Sequence, residues 1–224
     1  MIFAPHPDDE ILGCFGAIMS HPNREDVAVV YMTSGERGDS SISPLLEKET
    51  REQEAKEVMS VLGIRRHYFL GLPDGGLEHD SRTMNVVADV IAKDDPAYVY
   101  APNEREPHRD HKNAYKVISG ALQSLASDSK HFEARYYEVW MTLEKFNLVV
   151  DISSLAETKR KVIRMYESQL KHIRYDEEIL SLNRHRGTTT KKGSYCEVYD
   201  CYRIYSKKAQ RIRFRKQEIL GNVL

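Results

Sequence analysis

Ile2-Phe3-Ala4-Pro5-His6-Pro7-Asp8-Asp9-Glu10-Ile11-Leu12 is the stretch from which the fold can be read. Three apolar residues form a very short strand, and Pro5 to Asp8 form a turn stiffened by two prolines. From Asp9 to about Ser20 the residues Ile11, Leu12, Phe15, Ile18 and Met19 recur at helical spacing. The same unit then repeats outward. Val27 to Thr33 is a solid apolar run, as in a strand buried on both faces, and Glu47 to Leu62 reads as a helix stopped by Gly63. Strands over Arg66 to Leu70 and Ala97 to Ala101 alternate with helices over Arg82 to Lys93 and His111 to Leu125. Alternation of this kind predicts an α/β fold, a mainly parallel sheet flanked by helices. Further strands are expected over Ala134 to Trp140, Leu148 to Ile152 and Tyr195 to Tyr205. A long helix is expected over Leu155 to Lys171, followed by a loose polar stretch to Gly193.

The chain has 224 residues, 41% hydrophobic and 30% charged, enough for a full-sized core. Its 33 basic and 34 acidic residues give a net charge near −1, so nothing favours nucleic acid or an anionic membrane. No apolar run has the length of a membrane span, and no secretory signal precedes His6. Cys14, Cys196 and Cys201 make neither a disulfide framework nor a CxxC pair, which points to a reduced, cytoplasmic protein. One domain is expected over residues 1–206. The tail, 207–224, carries six basic residues between Lys207 and Lys216, read as a solvated end or a contact surface.

Two motifs carry chemistry. In PHPDDE (Pro5 to Glu10) an imidazole and two carboxylates sit where a strand hands over to a helix, the place where open α/β sheets bind ligands. Helix capping needs one carboxylate, and this turn supplies two plus a histidine. The second motif, His108-Arg109-Asp110-His111, also lies between a strand and a helix and so reaches the same rim. A catalytic zinc takes three ligands from His, Asp or Glu and keeps a fourth position for water. The two motifs supply that set, with a carboxylate and a histidine to spare for acid–base work. Manganese, cobalt or iron would also suit the donors.

With TSGERG (Thr33 to Gly38), TREQEA (Thr50 to Ala55), LPDG (Leu72 to Gly75), YYEVW (Tyr136 to Trp140) and Ser168–Gln169, these motifs resemble the PIG-L/LmbE-like family of zinc-dependent N-deacetylases. The resemblance spans roughly Ile2 to Tyr202. It implies a Rossmann-like three-layer fold and one zinc ion per chain held by His6, Asp9 and His111. It further implies Asp8 as general base, His108 as oxyanion stabiliser or proton donor, and Asp110 orienting His108. Arg51, Asp74 and Glu36 would face the substrate, a small N-acetyl amino sugar. For Arg51 a helix-surface salt bridge with Glu47 or Glu54 is the plain alternative, and for Asp74 an ordinary turn. Phe15 stands where relatives often carry glycine, and Tyr166 where they often carry histidine. A metal-dependent phosphoesterase and a non-catalytic metal- or sugar-binding module are the rival functions, and a homo-oligomer stays open.

Overall fold

β1, Ile2–Ala4, occupies the middle of the sheet despite its three residues. The computed structural model describes residues 1–127, 130–171 and 173–205, together with the backbone of 212–213. In chain order, β1 leads to α1 (Asp9–Ser20), β2 (Ala28–Thr33), α2 (Pro44–Leu62), β3 (Arg66–Leu72), α3 (Ser81–Asp94), β4 (Tyr98–Pro102) and α4 (Arg109–Leu125). Then come β5 (Phe132–Tyr137), β6 (Leu148–Asp151), α5 (Ala156–Ile163), α6 (Glu167–Leu170), α7 (Tyr175–Thr190), β7 (Cys196–Ile204) and β8 (Ile212–Arg213). The sheet order is β3-β2-β1-β4-β5-β7-β6. The first five strands in that order run parallel, β7 is antiparallel to β5 and β6, and β8 pairs β7.

Alternation along the strands divides the core between the two faces. Ile2 and Ala4 of β1 join Val29, Tyr31, Tyr137 and Tyr199 under α1, α2, α5 and α7. Met1 and Phe3 join Val30, Val99 and Ala134 under α3 and α4. The three-layer α/β architecture expected from the sequence is therefore present. Short as it is, β1 is extended in effect by its flanks: Tyr100 N–H donates to Met1 O, and both the Thr33 N–H and its hydroxyl donate to Pro5 O. Helix α1 lies so close to β5 that a Cβ on Gly13 would overlap the Tyr137 ring.

Three expectations need correction. The strand expected to reach Trp140 ends at Tyr137, because the backbone at Val139, Trp140 and Met141 turns away to donate to the Glu106 carboxylate. The helix expected over Leu155 to Lys171 is interrupted between Ile163 and Glu167. The stretch read as loose is a 16-residue helix, α7. Its buried side includes Asp176, Asn183 and Arg186, so polar contacts replace part of the apolar stripe that sequence reading relies on. The basic tail, 207–224, lies outside the described residues except for the backbone of β8.

Candidate active site

In sheet order β2-β1-β4, the connection from β1 turns to one face and the chain reaches β4 from the other. The carboxyl ends of β1 and β4 therefore flank the crevice where this architecture places ligands. His6, Asp8 and Asp9 lie just past β1, and His108, Asp110 and His111 just past β4.

The β1–α1 turn is strained. Asp8 has φ 129°, a region that favours glycine and costs other residues about 1–3 kcal/mol. The surroundings hold it there. Its carbonyl accepts from Ile11 and Leu12 N–H at 2.9 and 3.0 Å, and its own N–H donates to Glu10 Oε2 at 3.1 Å. Glu10 is fully buried and bonded by the Tyr166 hydroxyl. The Asp8 carboxylate makes no capping bond, so helix capping does not explain that residue. It faces Arg51 Nη2 at 3.2 Å instead.

Asp9 points the other way. One oxygen, Oδ2, lies 3.3 Å from His6 Nδ1 and 3.1 Å from His111 Nε2, and it accepts the His6 N–H at 2.9 Å. Donors about 2.0–2.2 Å from a tetrahedral ion stand roughly 3.3–3.5 Å apart, and each of these two separations is near that spacing. His111 is buried, and its other nitrogen, Nδ1, makes no hydrogen bond; Glu106 lies 3.6 Å from it. Among the described residues, the sets of three whose donor atoms all come within 4.8 Å of one another are His6, His108 and His111, and His6, Asp74 and Asp110; Asp9 is in neither. Every metal-capable group among the described residues thus shares His6.

Two loops close the other side. Asp74 Oδ1 is 3.1 Å from His6 Nε2, and its Oδ2 accepts the Arg37 N–H at 2.8 Å. In return the Asp74 N–H donates to Glu36 Oε1 at 3.0 Å, so the TSGERG and LPDG loops are tied reciprocally. Asp110 accepts from Gly75 and Leu77 N–H at 2.6 and 3.1 Å and lies 3.3 Å from His6 Nε2. Its carboxylate therefore braces His6 and the loop. What meets His108 Nδ1 is the Asp110 backbone N–H, at 3.3 Å, which corrects the expectation that the Asp110 side chain orients His108. His108 is the exposed N-cap of α4. Arg51 is 4% exposed and donates to Pro7 O, Gly35 O and Asp8. Glu47 and Glu54 are bonded instead to Gln169 and Ser168, so the surface salt bridge is excluded for Arg51.

These environments pull neighbouring groups apart. Burial pushes Asp8 up to about 7; Arg51 opposes the rise and Asp9 adds to it. Burial also works against Asp9, yet His111 and His6 hold it well below the usual carboxylate range. For His111 the desolvation is outweighed by Asp9 and Glu106, which raise it to about 9. His6 is likewise raised, by Asp110, Asp74 and Asp9 against burial. His108 is lowered by desolvation and by the other two histidines.

Sequence reading missed Glu106, Glu10 and Arg186. Glu106 stands two residues before His108 and binds the 139–141 backbone beside His111. Arg186 is buried against Glu138 and Leu143 O, whereas Arg184 is exposed.

Known proteins share this arrangement of elements. The diacetylchitobiose deacetylase of Thermococcus kodakarensis is 28% identical over 185 residues, 74% of this chain and 67% of that protein. The solved N,N'-diacetylchitobiose deacetylase of Pyrococcus horikoshii superposes with TM-score 0.76 at 24% identity, covering 89% of this chain and 82% of that one. A 4-carboxy-2-hydroxymuconate hydratase, GalB from Pseudomonas putida, superposes with TM-score 0.74 at 20% identity over 89% and 94% of the two chains. Fold alone therefore does not choose the reaction. The family model PIG-L, GlcNAc-PI de-N-acetylase, matches residues 1–122, more than half of the 224, and the chain belongs to that family.

Proposed function

We propose that the chain is a zinc-dependent N-deacetylase that converts an N-acetyl amino sugar and water into the free amine and acetate. The observation that carries this reading is the opposed placement of Asp8 and Asp9. One carboxylate lies between two imidazoles, and its neighbour is turned away by a strained φ. His6, Asp9 and His111 would hold the ion. When bound, zinc supplies Lewis acidity, polarising the acetamide carbonyl and lowering the pKa of water towards about 7.

Asp8 is the base that takes the proton from the attacking water. Burial brings its pKa near neutrality, where a general base works best, and Arg51 keeps it from rising further. Arg51 therefore serves the reaction through Asp8, since its Nη atoms are committed to that carboxylate and two carbonyls. His108 lies at the exposed edge of the histidine cluster and donates towards the developing oxyanion or the departing amine. Asp110 and Asp74 fix His6, as carboxylates behind metal-bound histidines do. Glu36 sets the Asp74 loop at the substrate side. Three free, buried cysteines suit a reducing, cytoplasmic setting. No helix among the described residues is long and apolar enough to cross a membrane.

The test measures metal content and release of amine and acetate from N-acetyl amino sugars. Asp9→Asn should lose metal. Asp8→Asn should keep it and lower kcat by roughly 10²–10⁴. Full turnover after exhaustive demetallation, or an Asp8→Asn enzyme as fast as the parent, refutes the reading.

A further inference from the structure

Glu106 is almost wholly buried, and its two oxygens are loaded unequally. Oε1 accepts the Asn103 side-chain amide at 3.0 Å and the backbone N–H groups of Val139, Trp140 and Met141 at 3.1, 3.2 and 3.3 Å. Oε2 shares the Trp140 N–H, also at 3.2 Å, and stands 3.6 Å from His111 Nδ1. That ring nitrogen is buried and has no hydrogen-bond partner. The Trp140 side chain is exposed and lies against Tyr175, with ring centroids 5.2 Å apart. Burial and the Asp8 carboxylate push the Tyr175 phenol up to about 12, with Arg51 opposing and Asp9 adding, so this aromatic pair borders the reacting centre.

We infer that Glu106 is a positioning residue: it orients His111 for the metal and ties the Trp140–Tyr175 edge of the cleft to metal occupancy. A neutral imidazole carries one N–H. When Nε2, the nitrogen beside Asp9, serves as a ligand, the hydrogen sits on Nδ1 and needs an acceptor. Glu106 Oε2 is the carboxylate oxygen beside Nδ1, yet 3.6 Å is beyond hydrogen-bond distance, so ring or carboxylate must move by about 0.5 Å. The oxygen that takes the new bond is the one that shares the Trp140 N–H, while Oε1 stays anchored by Asn103. A solvated carboxylate would absorb such a movement alone. This one is pinned to the 139–141 backbone, so the adjustment passes to Trp140. The inference rests on the deacetylase reading for the placement of the ion at His6, Asp9 and His111.

Trp140 is the single tryptophan of the chain, so its fluorescence reads this segment alone. Zinc is titrated into metal-free, full-length protein, and bound zinc is counted independently by competition with a chelating dye. In the parent, saturating zinc should shift the Trp140 emission and lower its quenching by acrylamide. Glu106→Gln keeps an oxygen for the backbone N–H groups and turns its amide NH2 towards His111, where no bond to an Nδ1–H can form. The variant should bind zinc about 10–100-fold more weakly and, at saturation, show no emission shift. A residue that only caps the 139–141 backbone would alter the metal-free spectrum and leave zinc affinity alone. Stoichiometric zinc with an unchanged Trp140 spectrum in the parent overturns the inference, whether or not the variant folds. So does a variant that retains the parent's affinity or the parent's shift. A parent that takes up no zinc refutes the deacetylase reading, and the inference with it.

Discussion

Arg51→Met, made in protein stripped of metal by a chelator, isolates what one buried guanidinium does for Asp8. Methionine offers similar volume and no N–H. Pro7 O and Gly35 O, which Arg51 meets at 2.7 and 3.3 Å, lose a charged donor at every pH. Hydrogen bonds to charged groups contribute about 1.5–3 kcal/mol each, so a loss of about 3 kcal/mol is expected already at pH 5. Asp8 adds nothing at that pH, because burial keeps it protonated up to about 7. Above pH 7 the parent ionises Asp8 against Arg51, at 3.2 Å, whereas the variant has no cation there.

The direction follows from proton linkage. A carboxylate raised in the folded state binds more protons folded than unfolded, so stability falls as pH climbs from the unfolded value near 4 to the folded one. Arg51 lowers the Asp8 pKa; without it the folded value moves up and the fall continues beyond pH 7. Each further unit costs about 1.4 kcal/mol. Urea unfolding of parent and variant at pH 5 and pH 9 reads the difference directly. Destabilisation should be larger at pH 9 by about 1 kcal/mol or more, and Arg51→Lys should recover this pH-dependent part but not the whole fork. Equal destabilisation at both pH values refutes the argument that Arg51 keeps Asp8 ionisable.

Metal uptake should release protons, because His111 is raised to about 9 and His6 is raised as well; apparent affinity should climb about tenfold per pH unit for each proton displaced. Calorimetry in buffers of different ionisation enthalpy counts those protons, and affinity constant between pH 6 and pH 8 would contradict the site. Asp74→Asn should weaken metal binding by about 10–100-fold through His6, measured by competition with a chelating dye; unchanged affinity would return Asp74 to the role of a turn residue. Lys159→Met should destabilise by about 3–5 kcal/mol, since it strands Glu197 in the core and frees Leu12 O beneath α1. A thermal shift of only a degree or two would show that this buried pair contributes little.

The parallel part of the fold was legible because its signals are local. Helical spacing in α1, the αL glycine after α2 and the apolar run of β2 each announce one element within a few residues. The pairing of two motifs about a hundred residues apart was legible as well, since both follow strands of a parallel sheet and such strands share one rim. What stayed hidden depends on contacts between distant polar groups. Nothing near Glu106 says that it will gather three backbone N–H groups from 139–141. Helix α7 buries Asn183 against Cys196 O and Lys159, and Arg186 against Glu138, so its inward face is not apolar. The Asp110 side chain was assigned to the wrong histidine because HRDH places His108 beside it in sequence, whereas the LPDG loop brings it to His6 in space.

Asp8 and Asp9 are chemically identical and adjacent, so only the backbone can give them different work. An unstrained helix start would leave both side chains near one helix end, sharing the same stabilisation by free N–H groups. The φ of 129° at Asp8 breaks that equivalence. One carboxylate swings to Arg51 in a buried position and becomes hard to ionise; the other stays between two imidazoles and becomes hard to protonate. Titratable neighbours driven apart in this way suit the proposed division between a base and a ligand. The strain that produces the division is held by Glu10, which accepts the Asp8 N–H and is itself bonded by Tyr166. Tyr166 therefore bears on the Asp8 turn from the far side of α1. It supports the carboxylate that supports the turn.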